Sequence, residues 1–286
     1  MKFPKHHYIP VFYLNQWANA NGRLFKFTRP YGTAVKHSLT SPKKTGYERG
    51  LYRLPDVPEH LAEALEEKFM KQIDGRAAEA LNSLISNDLK DWPHNKRHAW
   101  IRFVVGFLIR NPQAVQRAKE EFRRFIEDNQ HAWRIEYDAQ KKPGDKDFGS
   151  IDTINTDRVT LIALQELIDN RPLVLRISEM RWGVVDVSKT KHRLLTSDRP
   201  VIRTNGIEKP DGHLALAISP TRIFLACNNV EIERQLRQMP SKDMVRNMNK
   251  QVVRNAIKYV WSHDMSNEPL IKGQLSAEAH LDPKLW

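Results

Sequence analysis

The stretch Trp182-Gly183-Val184-Val185-Asp186-Val187 decides the fold class. It is short and rich in β-branched residues, and turn residues part it from the next apolar run, so it predicts a strand. Runs of the same kind occur at Arg193 to Thr196, Val201-Ile202, Leu214 to Ile218 and Ile223 to Ala226. Upstream the periodicity is helical. From Glu59 to Ile85 the residues Leu61, Leu65, Phe69, Ile73, Ala77, Leu81 and Leu84 fall on one stripe. Pro93 opens a second helix through Trp100, Phe103, Val104, Phe107 and Leu108, which Pro112 bends or breaks. Helical patterns resume over 114–135 and 156–177, with a charged loop over 138–153. Near the start, Pro10 suits the first position of a helix carrying Val11, Leu14 and Trp17, and residues 23–28 alternate like a strand. A last helix is expected over 241–262. The expectation is an α+β fold with long helices in the first two-thirds, a small antiparallel sheet near residues 180–227, and the C-terminal helix packed on it. Without a repeat or a clear linker, residues 1–286 read as one domain with its core over about 5–262.

The balance of 46 Lys and Arg against 34 Asp and Glu gives a net charge of +12. Such a charge favours DNA or RNA as a partner through phosphate contacts and counterion release. The plainer alternative is a basic protein whose charge only prevents association. One cysteine, Cys227, leaves neither a disulfide framework nor a thiolate zinc cluster, and its apolar run Ile223 to Cys227 makes it a core residue. No apolar signal segment and no run of about 18 apolar residues appears, so a cytoplasmic protein without membrane spans is expected. Walker, GxGxxG, HExxH, GxSxG and CxxC motifs do not occur.

Four segments could carry chemistry. In Lys5-His6-His7-Tyr8-Ile9-Pro10 the two histidines precede a helix whose positive end favours neutral imidazole, the form that takes a proton or binds a metal. An extended backbone sends them to opposite sides, so one can enter a site while the other packs. In Thr196-Ser197-Asp198-Arg199-Pro200, Asp198 could ligate a metal, orient a histidine or act as a base; otherwise Ser197 and Asp198 cap a local turn. Glu67 and Asp74 share one helix face, where a salt bridge to Arg102 or Arg110 is the ordinary reading and metal ligation the sharper one. Arg246, Lys250, Arg254 and Lys258 form a winding basic stripe, either a phosphate-binding surface or a solvated face.

The segments KHHYIPVFYLNQW at 5–17, YERGLY at 47–52, IDGRAAEAL at 73–81 and FLIRNP at 107–112 come in order. After them stand LLTSDRPV at 194–201, ISP at 218–220 and NKQVVRNAIKYV at 249–260. This series resembles the bacterial family catalogued as domain of unknown function 4238. The resemblance implies that His6, His7, Tyr8, Glu48, Asp74, Arg110, Ser197, Asp198, Pro200 and Asn249 sit at family motif positions. It also implies Glu at position 74 and Gln at 11, where this chain has Asp and Val.

The leading functional expectation is a metal-dependent nuclease or phosphodiesterase. His7 and Asp198, with Asp74 or Glu48, would hold a divalent Mg, Mn or Zn ion and activate its water, with His6 beside them. Tyr8, Ser197, Asn249, Arg110 and the basic residues Arg246, Lys250 and Arg254 would bind the nucleic acid. The rival expectation is a non-catalytic nucleic-acid-binding or interaction protein in which His6, Tyr8, Trp17 and the Thr-Ser-Asp turn form a structural clasp.

Overall fold

The computed structural model describes residues 3–30, 34–86, 92–148 and 155–276. In chain order these form β1 (Lys5–His7), α1 (Val11–Leu14), β2 (Leu24–Thr28), β3 (Lys36–Thr40), β4 (Tyr47–Arg49) and α2 (Glu59–Ala62). Then come a π-helical turn (Glu66–Met70), α3 (Lys71–Ile85), α4 (His94–Ile109), α5 (Pro112–Gln140), α6 (Thr156–Ile168) and α7 (Arg171–Glu179). The last third holds β5 (Arg181–Asp186), β6 (Thr196–Ser197), β7 (Val201–Thr204), β8 (His213–Ser219), β9 (Arg222–Cys227), α8 (Val230–Gln238), α9 (Ser241–Asn255), β10 (Val260–Ser262) and α10 (Glu268–Gln274). The fold is α+β, as the strand runs and helical stripes require.

The sheet expected near residues 180–227 has the order β5-β9-β8-β7, antiparallel throughout, with Trp182 opposite Ala226 and Leu214 opposite Ala226 on the other side. Nearly every residue of β8 and β9 is buried, on both faces of the pleat. The two central strands are therefore covered from both sides, which explains why Leu214 to Ile218 and Ile223 to Cys227 are continuous apolar runs rather than alternating ones. Helices α3 and α4 lie on this sheet from one side, α8 touches β5 and β9, and α9 packs along β6 and β7. Cys227 is a buried core residue, and burial pushes its thiol up to about 11.

A second sheet, β3-β2-β10-β6, joins parts of the chain far apart in sequence, with Phe27 opposite Val260 and Val260 opposite Ser197. It corrects the expected last helix. That helix ends at Asn255, Ala256 is extended, and residues 260–262 are a strand. Other boundaries shift as well: the helix expected over 59–85 breaks after Ala62 and passes through the π-turn before α3, and the strand expected over 193–196 is reduced to Thr196–Ser197. The helix expected over 156–177 is divided by Asn170, whose side chain accepts from Leu173 N and caps α7. The charged loop begins only after Gln140, and its residues 149–153 lie outside the described ones. Among the described residues no helix is long and apolar enough to cross a membrane.

Candidate functional site

The aromatic opening of the chain is stapled to the sheets by its own polar atoms. The Tyr13 hydroxyl donates to Ala217 O at 2.7 Å, so the Thr196 hydroxyl 2.8 Å away must donate to it. Trp17 Nε1 donates to Leu194 O at 2.8 Å. Ile9 N donates to Gly46 O at 3.0 Å, and Gly46 has φ +66°; a Cβ there would lie 3.1 Å from Ile9 Cβ. Replacing Tyr13 with Phe strands a buried carbonyl and a buried hydroxyl. A loss of about 1–3 kcal/mol is expected, at about 2–4 °C of Tm per kcal/mol, and calorimetry on Tyr13→Phe checks it.

β1 pairs with β4, and the strand alternation sends His6 inward while His7 is half-buried. His6 is fully buried. Its Nδ1 accepts from Tyr52 N at 2.9 Å, so the proton sits on Nε2, which donates to Glu63 Oε2 at 2.7 Å. Arg53 holds the other oxygen of Glu63. Burial keeps both imidazoles below their ordinary value, with Glu63 opposing at His6 and a hydrogen bond to the Lys43 backbone opposing at His7. The imidazoles are thus held neutral by desolvation rather than by the end of a helix. His7 packs edge-on against Tyr47, and its buried Nε2 has no partner among the described residues. Glu48 faces His6 in the strand register but is exposed. Tyr8 is buried, and burial, with Asp198 next, holds its phenol well above its ordinary value.

Asp198 is 3% exposed and its carboxylate is filled by backbone. Oδ1 accepts from Ile257 N at 2.9 Å; Oδ2 accepts from Lys258 N at 2.6 Å and Tyr259 N at 3.0 Å. Burial pushes the carboxyl up to about 6 against these bonds. The three donors that Asp198 caps are therefore remote, some sixty residues away, while Ser197 makes a local turn by accepting from Arg199 N. This cap is also what ends α9, so Lys258 leaves the basic stripe. Arg254 turns aside to the Gln274 side chain.

Asp74 meets Arg110, the ordinary partner expected, through Nη1 at 2.8 Å, while Arg102 goes to Asp169. Arg110 is 2% exposed and stacked against Phe103 and Phe107, and its Nε and Nη2 have no partner among the described residues. Burial raises Asp74, with Arg110 opposing. Glu66, on the π-turn, is buried beside them. Burial pushes it up to about 7, with Asp74 adding to the rise and Arg110 opposing it. Glu67, by contrast, is exposed and pairs with Lys71.

The structure thus divides the expected constellation. Asp198 belongs to the 257–259 turn, Asp74 to Arg110, and His7 to the β1–β4 edge. Among the described residues no group of three or more His, Cys, Asp or Glu side chains could hold a metal ion. The ligand set expected from the sequence does not fit such an ion.

Cationic residues do gather around one cleft. A cleft with a cavity volume of about 710 Å³ lies between α9, the loop 189–192 and the start of α10. Lys242, Arg246 and Lys250, one helical turn apart on α9, face Lys189 and Lys191 across it. Val245, Pro269 and Leu270 supply apolar lining. Asn249 also lines the cleft but is committed to the fold. Its Oδ1 accepts from Leu195 N, and its Nδ2 donates to Arg193 O, both at 2.9 Å. Arg246 also reaches Asp243 at 3.0 Å.

A family model described as "Protein of unknown function (DUF4238)" matches residues 5–266. The chain belongs to that family. The DUF4238 match takes in the segment from His6 to Trp17, the buried Asp74–Arg110 pair and all five cationic residues of the cleft. No curated protein and no solved structure matches the chain. Of the cleft cations in this DUF4238 chain, Lys189, Lys191 and Lys242 were missed by sequence reasoning. The run Ser188-Lys189-Thr190-Lys191-His192-Arg193 was the available signal, a basic loop directly after a strand.

Proposed function

We propose that the protein binds nucleic acid through phosphates in the cleft between α9 and the 189–192 loop. One observation carries this reading. Five cationic residues line one largely apolar concavity, Arg246 also reaching Asp243 beside it, and no carboxylate is among the side chains that line it. Aligned cations at this density repel one another unless a polyanion lies between them, and a bound phosphate chain would release counterions as it neutralises them. The apolar lining offers a surface for a base or sugar once phosphates are seated. The net charge of +12 adds long-range attraction. In this reading the His6–Tyr8 segment, Tyr13 and Trp17 are the clasp, and the cleft is the working surface.

Fluorescence anisotropy with labelled single- and double-stranded DNA and RNA tests it. The expected result is binding whose log affinity falls linearly with log salt. The pair Lys242→Glu, Lys250→Glu should weaken binding at least tenfold and flatten the salt slope by about one per lost contact. Adding Mg, Mn or Zn ions to the same samples and running them on denaturing gels reads phosphodiester cleavage, the catalytic version expected from the sequence. Binding that ignores salt, or that the double variant leaves intact, overturns the reading.

A further inference from the structure

The cleft between α9 and the 189–192 loop sorts its residues by chemistry. Lys242, Arg246 and Lys250 stand along α9, which rises about 12 Å from 242 to 250 at ~1.5 Å per residue, with Lys189 and Lys191 opposite. Val245, Pro269 and Leu270 make the rest largely apolar. Its two asparagines are committed to the fold and to each other. Asn249 Nδ2 donates to Asn267 Oδ1 as well as to Arg193 O, and Asn267 Nδ2 also donates to Arg193 O. Those amides have little capacity left to read the edge of a base. His192 is the one aromatic residue among the described residues that line the cleft, and it is exposed.

A duplex matches such a cleft poorly. Its bases lie stacked inside it, so it offers a concavity phosphate and sugar, and the apolar residues gain no apolar contact. An unpaired strand offers the same phosphates together with bare base faces, which ring and apolar side chains receive whatever the sequence. The cavity volume of about 710 Å³ is that of a pocket for a small molecule, large enough to seat a base. We propose, on the phosphate-binding reading of this cleft, that it takes an unpaired nucleic-acid strand, with phosphates on the Lys242–Arg246–Lys250 row and a base against His192, Pro269 and Leu270. Recognition is by the face of the base and not by its edge. The site therefore separates unpaired from paired strands rather than one sequence from another.

Fluorescence anisotropy on the full chain uses three labelled probes: an oligothymidine, the duplex it forms with oligoadenosine, and an abasic strand of equal length, which keeps every phosphate and has no base. The oligothymidine should bind about tenfold tighter than either of the others, as one seated base allows. Its salt slope should equal that of the abasic strand and be no steeper than about −3.5, from ~0.7 for each of the five cations. His192→Ala should weaken oligothymidine binding toward that of the abasic strand and leave the abasic strand unaffected, and His192→Phe should restore it. A duplex or abasic strand that binds as tightly as the oligothymidine overturns the unpaired-strand assignment while the phosphate reading stands. A His192→Ala protein that binds oligothymidine as wild type does overturns it equally. Binding of none of the three probes overturns both.

Discussion

Asp198→Ala is expected to cost about 3–5 kcal/mol, because it strands three backbone N–H groups that one buried carboxylate now receives. Those donors set the sharp turn between α9 and β10. Without them β10 loses its register against β2 and β6, and Trp261, fully buried beside Thr45, meets water. Chemical denaturation followed by tryptophan emission reads both the energy and the exposure. Asp198→Asn keeps one acceptor oxygen but turns an amide donor toward N–H groups, so it should fall between wild type and alanine. A catalytic role makes the opposite forecast, with stability kept and activity lost. An Asp198→Ala protein as stable as wild type would sink the structural role argued for this residue.

The second large effect is a gain. Glu66 is buried beside Asp74, and its carboxyl is raised from an ordinary value near 4.5 to about 7. The folded protein therefore holds this proton more tightly than the unfolded chain. The stability it contributes is whole below about pH 4.5 and is lost as pH rises through about 7. That shift corresponds to about 3 kcal/mol between the two limits. Glu66→Gln keeps the shape and removes the ionisation. Its Tm should exceed wild type by on the order of 5–10 °C at pH 8 and match it at pH 4.5. An equal gain at both pH values would mean that the benefit is packing rather than charge.

Much of the fold was legible because local pattern and final environment agree. β5, β8 and β9 are short apolar runs between turn residues, and α3 and α4 carry the apolar residues that bury them. The end of α9 was illegible for a physical reason. Val252, Val253 and Ala256 keep a helical spacing past the break, and the group that imposes the break, Asp198, lies about sixty residues upstream. The candidate site was legible in part. The His6 and His7 alternation and the Asp74–Arg110 pair arise from local geometry. That Asp198 points at the backbone, and that Lys189 and Lys191 meet α9, are results of tertiary packing that no spacing encodes.

The second sheet also has a consequence for synthesis. β2 pairs with a strand more than 230 residues later, and Tyr13 and Trp17 bond to residues 194–217. On a ribosome β2 meets β3 at once, but its other edge and the Tyr13 and Trp17 side chains emerge long before their partners exist and wait uncovered. Contacts of such sequence separation slow folding and lengthen the exposure of aggregation-prone surface. A nascent chain stalled before residue 260 is a natural client for a chaperone.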